Sequence, residues 1–126
     1  MYITIDESDQ RPIYQQIVDE IKAIIAAGEL PEGSSLPPVR QVASDLGVNQ
    51  NTVAFAYRKL QKAGLIRVRH GSGAVVARVT ATRDRERLEA KLRPVLTDMV
   101  LAGLTRAEVN ALVNGMLTGL AAEKSR

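Results

Sequence analysis

The chain contains no cysteine, no tryptophan, a single histidine (His70), one phenylalanine and three tyrosines. Without cysteine neither a disulfide framework nor a thiolate metal site can form, and a lone histidine supplies no companion ligands, so no metal site is expected. Aromatics at 3% of the chain leave few rings for the stacking platforms that hold single-stranded nucleic acid. A glycine-rich phosphate loop is missing, as is a convergent set of catalytic carboxylates, so an enzyme is not expected and no cofactor is implied. No apolar run approaches the roughly 18 residues of a membrane span, and the N-terminus lacks the pattern of a signal peptide. The expectation is a soluble, cytoplasmic protein with no membrane partner.

What is present is a 126-residue chain, 45% hydrophobic and 25% charged, enough for one compact domain with an appendage. Its charge is unevenly placed. Residues 1 to 36 carry Arg11 and Lys22 against seven acids, a net of −5. Residues 37 to 78 carry Arg40, Arg58, Lys59, Lys62, Arg67, Arg69 and Arg78 against Asp45, a net of +6. The remainder nets +2, giving +3 for the whole. A modest total therefore conceals a basic segment suited to neutralising phosphates and releasing their counterions.

That segment is also where the periodicity is clearest. A helix is expected from about Pro38 to Leu46, with proline at its first turn and Gly47 at its left-handed end. Asn49 is a good N-cap for a second helix over Gln50 to Ala63, closed by Gly64. At 100° per residue, Val53, Ala56, Tyr57, Leu60 and Ala63 share one side, while Asn51, Phe55, Arg58 and Lys62 share the other, flanked by Gln50 and Ala54. Two helices joined by a glycine-containing turn form a helix-turn-helix. A 14-residue helix is roughly 21 Å long, and a DNA major groove about 12 Å wide accepts it. The alternative meaning of such a polar face is plain solvation.

Leu65 to Arg69 and Ala74 to Arg78 are β-rich runs joined by His70-Gly71-Ser72-Gly73, the pattern of a hairpin. Arg67, Arg69, His70 and Arg78 make it basic. A basic hairpin directly after a recognition-type helix is the wing of a winged helix-turn-helix.

From Pro12 to Ala77 the chain resembles the GntR family of bacterial transcription regulators, through PIYQQIVDEIKAIIAAGEL, LPPVRQVASDLGVNQNTVAFAYRKLQKAGLI and HGSG. The resemblance implies a homodimer that binds a two-fold symmetric operator in double-stranded DNA and releases it when a small effector binds. It implies DNA contacts from Arg40 in the LP-x-x-R motif, from Asn49, Gln50, Asn51 and Thr52, and from His70 and Gly71 reaching the minor groove. For Arg40 and His70 the alternative is a solvated surface side chain. Arg58, Lys62 and Arg69 join this set as cations of the helix face and the wing. Better-known relatives carry arginine at the positions of Gln50 and Ala54, where it bonds guanine. Gln50 and Asn51 suit adenine N6 and N7 instead, a pairing that discriminates by about 1 to 3 kcal/mol, and Ala54 offers only a methyl group. The operator half-site is therefore expected to hold A·T pairs where those relatives read G·C.

Upstream, Met1 to Arg11 reads as a short extended arm that packs on the body or on a partner subunit. Pro12 opens a helix to about Ala27, with Ile13, Ile17, Ile21, Ile24 and Ile25 as its core face, Asp19 and Glu20 outside and Gly28 as its stop. Residues 30 to 35 read as a connecting loop.

Downstream, residues 79 to 126 are expected to form a separate helical hairpin. Arg83 to Ala102 carries Leu88, Leu92, Val95, Leu96 and Met99 at helical spacing, with Pro94 bending it and Gly103 ending it. Thr105-Arg106-Ala107-Glu108 reads as a capping box opening a helix with Val109, Leu112, Val113, Met116, Leu117 and Leu120 on one face. Alone this hairpin leaves its apolar stripe wet. Pairing with the same hairpin of a second subunit buries both stripes and supplies the symmetry of a palindromic site; the alternative is folding back on its own winged helix. So short a tail matches the YtrA-like subfamily, whose members often regulate transporter genes. Two helices hardly enclose a ligand pocket of about 300 Å³ or more, so an effector, if one acts, is expected between subunits.

The fold class expected is therefore mainly α with a small β-hairpin: a winged helix-turn-helix over 1–78 and an antiparallel dimerisation hairpin over 79–126. The function expected is a sequence-specific DNA-binding regulator, by resemblance a repressor; the alternative is a winged-helix protein-interaction module, which leaves the basic segment unexplained.

Overall fold

The structure, a computed structural model, describes residues 1–69, 73–77 and 85–121. In chain order these form α1 (Ile13–Ala26), α2 (Val39–Leu46), α3 (Gln50–Lys62), β1 (Ile66–Arg69), β2 (Gly73–Val76), α4 (Arg85–Leu101) and α5 (Arg106–Ala121). The mainly helical winged helix-turn-helix with two following helices is the fold class expected.

α1 begins after Pro12, whose ring holds φ at −55°, and buries Gln16, Ile17, Val18, Ile21 and Ile24. Ile13 shares their face, but it stands in the first turn and stays 38% exposed, so it is not core as expected. The buried polar residue among them, Gln16, was not anticipated. Its Oε1 accepts from the Asp6 backbone N–H at 2.9 Å, and its Nε2 donates to the carbonyls of Asp6 and Arg11. These bonds satisfy a buried amide fully and fasten the N-terminal arm, so that Ile3 and Ile5 lie against the core of their own subunit. Arg11 pairs with Asp9 at 2.8 Å and with Asp19, and its guanidinium holds the Asp9 carboxyl below the usual range.

Ile17 and Ile21 of α1 meet Val53, Ala56 and Leu60 of α3, with Val42 and Ala43 of α2 and Ile66 and Val76 of the wing closing the core. α2 ends at Gly47 with φ +68°, a left-handed residue that lets the chain turn sharply into α3. Asn49 then accepts a hydrogen bond from the Asn51 N–H at 2.8 Å, capping α3 as expected. Ala63, expected on the inner face, is the exposed C-cap instead, because the helix has already ended at Lys62.

β1 and β2 pair antiparallel, Ile66 opposite Val76 and Arg69 opposite Gly73. Residues 33–35, expected to lie in a loop, and Leu36 after them add a third rung to this wing. The Leu36 N–H donates to Ala74 O at 2.9 Å, Val76 N–H to Ser34 O at 2.8 Å, and Gly33 N–H to Val76 O at 2.9 Å. The segment between α1 and α2 is thus tied to the wing.

α4 and α5 are the two helices expected, joined through Gly103 with φ +93°, but they do not pack closely on one another. The capping box is present: Glu108 N–H donates to Thr105 Oγ1 at 3.1 Å, and Thr105 N–H to Glu108 Oε1 at 3.3 Å. α5 touches α1, yet Leu88, Leu92, Val95, Leu112, Val113, Met116, Leu117 and Leu120 all remain exposed. Folding back on the winged helix therefore does not bury the apolar stripe.

Candidate nucleic-acid interface

α3 positions the polar groups because its other side is locked into the core. Val53, Ala56 and Leu60 are fully buried, and Tyr57 is 7% exposed. A helix anchored by residues at i, i+3, i+4 and i+7 cannot roll, so the remaining positions point out at fixed angles. Gln50, Asn51, Arg58, Gln61 and Lys62 are exposed, with Ala54 half-buried among them. Gln61 carries no sequence signal of its own, but its position one turn after Arg58 and two after Ala54 places it on the same side.

Phe55 does not belong to this face, contrary to the helical-wheel expectation. Its half-buried ring meets Tyr14 of α1 edge-on, with centroids 4.6 Å apart at 84°. The Arg58 guanidinium lies 5.6 Å from the Phe55 centroid and the Lys59 ammonium 5.2 Å, both within cation–π range. Phe55 thus joins α1 to α3 and offers a seat to two cations.

Around α3 stand the other expected residues. Arg40 is exposed, second in α2. Thr52 is half-buried in the first turn of α3, its N–H given to Asn49 O at 3.0 Å. Asn49 is exposed, but its side-chain oxygen is committed to the cap, which leaves only its Nδ2 hydrogens for a partner. Arg67 of β1 is exposed. His70, Gly71 and Arg78 lie outside the described residues, as does the side chain of Arg69, whose backbone ends β1. Asn49, Gln50, Asn51, Arg58 and Lys62 therefore share α3 and its cap, and Arg40 is exposed on the neighbouring α2.

Among the described residues, Arg40, Arg58, Lys59, Lys62 and Arg67 form no ion pair, whereas Arg11 and Arg85 both do. The Tyr57 hydroxyl donates to Pro37 O at 2.6 Å, linking α3 to the start of α2, and burial pushes its phenol up to about 12. A shallow groove of about 240 Å³ runs beside this contact, between Pro38 and Val39, Ala54 and Arg58, and Val68 and Ala74 of the wing.

In the hairpin, Leu96, Met99 and Val109 are half-buried and the other expected apolar residues exposed. An open groove of about 720 Å³ lies between α4 and α5, lined by Leu92, Leu96, Val100, Val109 and Val113. It exceeds the volume expected of two helices because it is a valley and not an enclosed pocket. Among the described residues no group of three or more histidine, aspartate or glutamate side chains could hold a metal ion, and no helix is long and apolar enough to cross a membrane.

The bacterial regulatory protein gntR family model matches residues 13–76, from the start of α1 to the end of β2. The transcriptional repressor YtrA of Bacillus subtilis is 31% identical over 106 residues, covering 81% of this chain and 82% of that protein. An uncharacterized HTH-type transcriptional regulator of Mycobacterium tuberculosis, Rv0494, is 35% identical over 117 residues, but the chain spans 47% of its length. Among solved structures, a transcriptional antiterminator from Listeria monocytogenes superposes with a TM-score of 0.83 at 33% identity, over 91% of this chain and 89% of that one. AraR(DBD) in complex with operator ORE1 superposes with a TM-score of 0.53 at 25% identity, over 61% and 94%. The family match spans the entire helix-turn-helix and its wing, and the likeness to YtrA runs on into the helical tail, so the chain belongs to the GntR family, on its YtrA-like side.

Proposed function

We propose that this chain is a transcriptional repressor that binds a palindromic operator as a homodimer. Residues 1–78 read the DNA, and residues 79–126 pair the subunits. Gln50 and Asn51 enter the major groove and read adenine, Ala54 offers its methyl group to a thymine, and Arg40, Arg58 and Lys62 neutralise phosphates. Asn49 and Thr52 assist from the turn, and Arg69, His70 and Gly71 reach the minor groove from the wing. The observation that carries this reading is the row of exposed cations that, among the described residues, have no carboxylate partner, beside a core-locked helix that presents amides at its N-terminus. Cations kept free of carboxylates are available to phosphates, and amides specify bases.

The apolar faces of α4 and α5 supply the second subunit's seat, since burying them is the larger gain open to the hairpin. Fluorescence anisotropy on duplexes from an unbiased site selection tests both halves. Selected sites should be inverted repeats with A·T pairs at the positions facing Gln50 and Asn51, and log affinity should fall linearly with log salt. Half-sites holding only G·C, or binding that ignores salt, overturns the reading.

A further inference from the structure

We infer that Tyr57 is a positioning residue for the DNA contact of Arg40: its hydroxyl clamps the Pro37 carbonyl and so fixes where the first turn of α2 stands against α3. The inference rests on the reading of Arg40 as a phosphate contact.

Pro37 and Pro38 lack backbone N–H groups, so this entry to α2 cannot be tethered by donors of its own. α2 has no side-chain cap. Before the dipeptide the Leu36 N–H is anchored on Ala74 O, and after it the first helical bond runs from Val42 N–H to Pro38 O. Between those two ties, among the described residues, the Tyr57–Pro37 bond at 2.6 Å is the polar restraint that reaches from α3. Val39, Val42 and Ala43 pack α2 against the core, but a groove of about 240 Å³ opens beside Pro37, Pro38, Val39 and Tyr57, so at this edge of the contact the bond is the directional tie. Two prolines make the entry stiff, so a shift at the Pro37 carbonyl is passed along the chain instead of being absorbed. Arg40 is three residues on. Burial keeps the phenol protonated throughout the neutral range, so the clamp holds wherever the protein binds.

The test is a double-substitution cycle on the full-length protein, read by anisotropy against operator DNA across a salt series, well below every unfolding midpoint. Arg40→Ala should weaken binding about tenfold and flatten the salt slope by about 0.9 per subunit. Tyr57→Phe, which keeps the ring and loses the bond, should flatten the slope in the same direction and weaken binding about threefold or more. Combined, the two should bind within about twofold of Arg40→Ala alone, because each removes the same contact. Val53→Ala, which also loosens the core, should leave the slope at its original value. If Arg40→Ala weakens binding but Tyr57→Phe keeps the original slope, or if the two losses multiply, Tyr57 does not position Arg40. If Arg40→Ala itself binds like the parent protein, the phosphate role of Arg40 falls and the positioning role with it.

Discussion

At Asn49 the side-chain oxygen caps α3 while the Nδ2 hydrogens face outward, and substitution can separate these two duties. Asn49→Asp retains a good cap and adds a negative charge at a helix N-terminus, so the unfolding midpoint should stay near that of the parent. Operator affinity should nevertheless drop, since a donor becomes an acceptor beside phosphates. Asn49→Ala loses the cap and should cost about 1 kcal/mol in denaturant titration. An Asn49→Asp variant that binds normally removes Asn49 from the interface. Tyr57 carries the pH dependence that this structure predicts. Its phenol titrates near 10.0 when free and at about 12 in the fold, so the folded state holds its proton more tightly. That contribution is complete below pH 10 and is lost as pH climbs from 10 towards 12. Stability measured along this limb should fall more steeply for the parent than for Tyr57→Phe; equal slopes would remove Tyr57 as the cause.

The elements of the winged helix were legible in the sequence wherever a residue has a single backbone duty. Gly47 marks the end of α2 because its left-handed φ of +68° is costly for any side chain, and Asn49 marks the start of α3 because it caps. Nothing obstructs a side chain at Gly47, so Gly47→Ala should cost only the backbone strain, about 1 to 2 kcal/mol by thermal unfolding, and Gly47→Asn less. Equal destabilisation by alanine and asparagine would point to some other cause. What could not be read were contacts made by neighbours in space. A helical wheel puts Phe55 opposite the core, but α1 flanks α3 and claims the ring through Tyr14. Residues 33–35 look like a loop because a strand edge recruited by backbone hydrogen bonds needs no side-chain alternation. Gln16 was missed for a related reason: a polar residue in an apolar stripe looks like noise until the arm that it fastens is in place.

For the whole molecule, the separation of charge and apolar surface is what favours the proposed homodimer. Among the described residues, α2, α3 and the wing carry cations without a carboxylate partner, whereas most of the exposed large apolar side chains are on α4 and α5, with Tyr2 of the arm and Val68 of the wing apart from them. One subunit can neutralise the phosphates of one half-site, but it gains nothing from its wet stripe. In the proposed homodimer, two subunits would bury the stripes against each other and bind two half-sites with one association event, which multiplies affinity about a hundredfold or more without a new base contact. Met116 and Leu117 are 64% and 54% exposed in the subunit, so charging them should not disturb its own core. The doubly substituted Met116→Glu, Leu117→Glu protein should sediment as a monomer, keep the helical circular dichroism of the winged domain, and lose about a hundredfold in operator affinity. The parent should show an unfolding midpoint that rises with protein concentration, as mass action requires of a subunit-stabilised fold, and the variant should not. A substituted protein that remains dimeric and binds its operator at full strength would mean that the subunits meet elsewhere, and that the stripe on α4 and α5 faces some other partner.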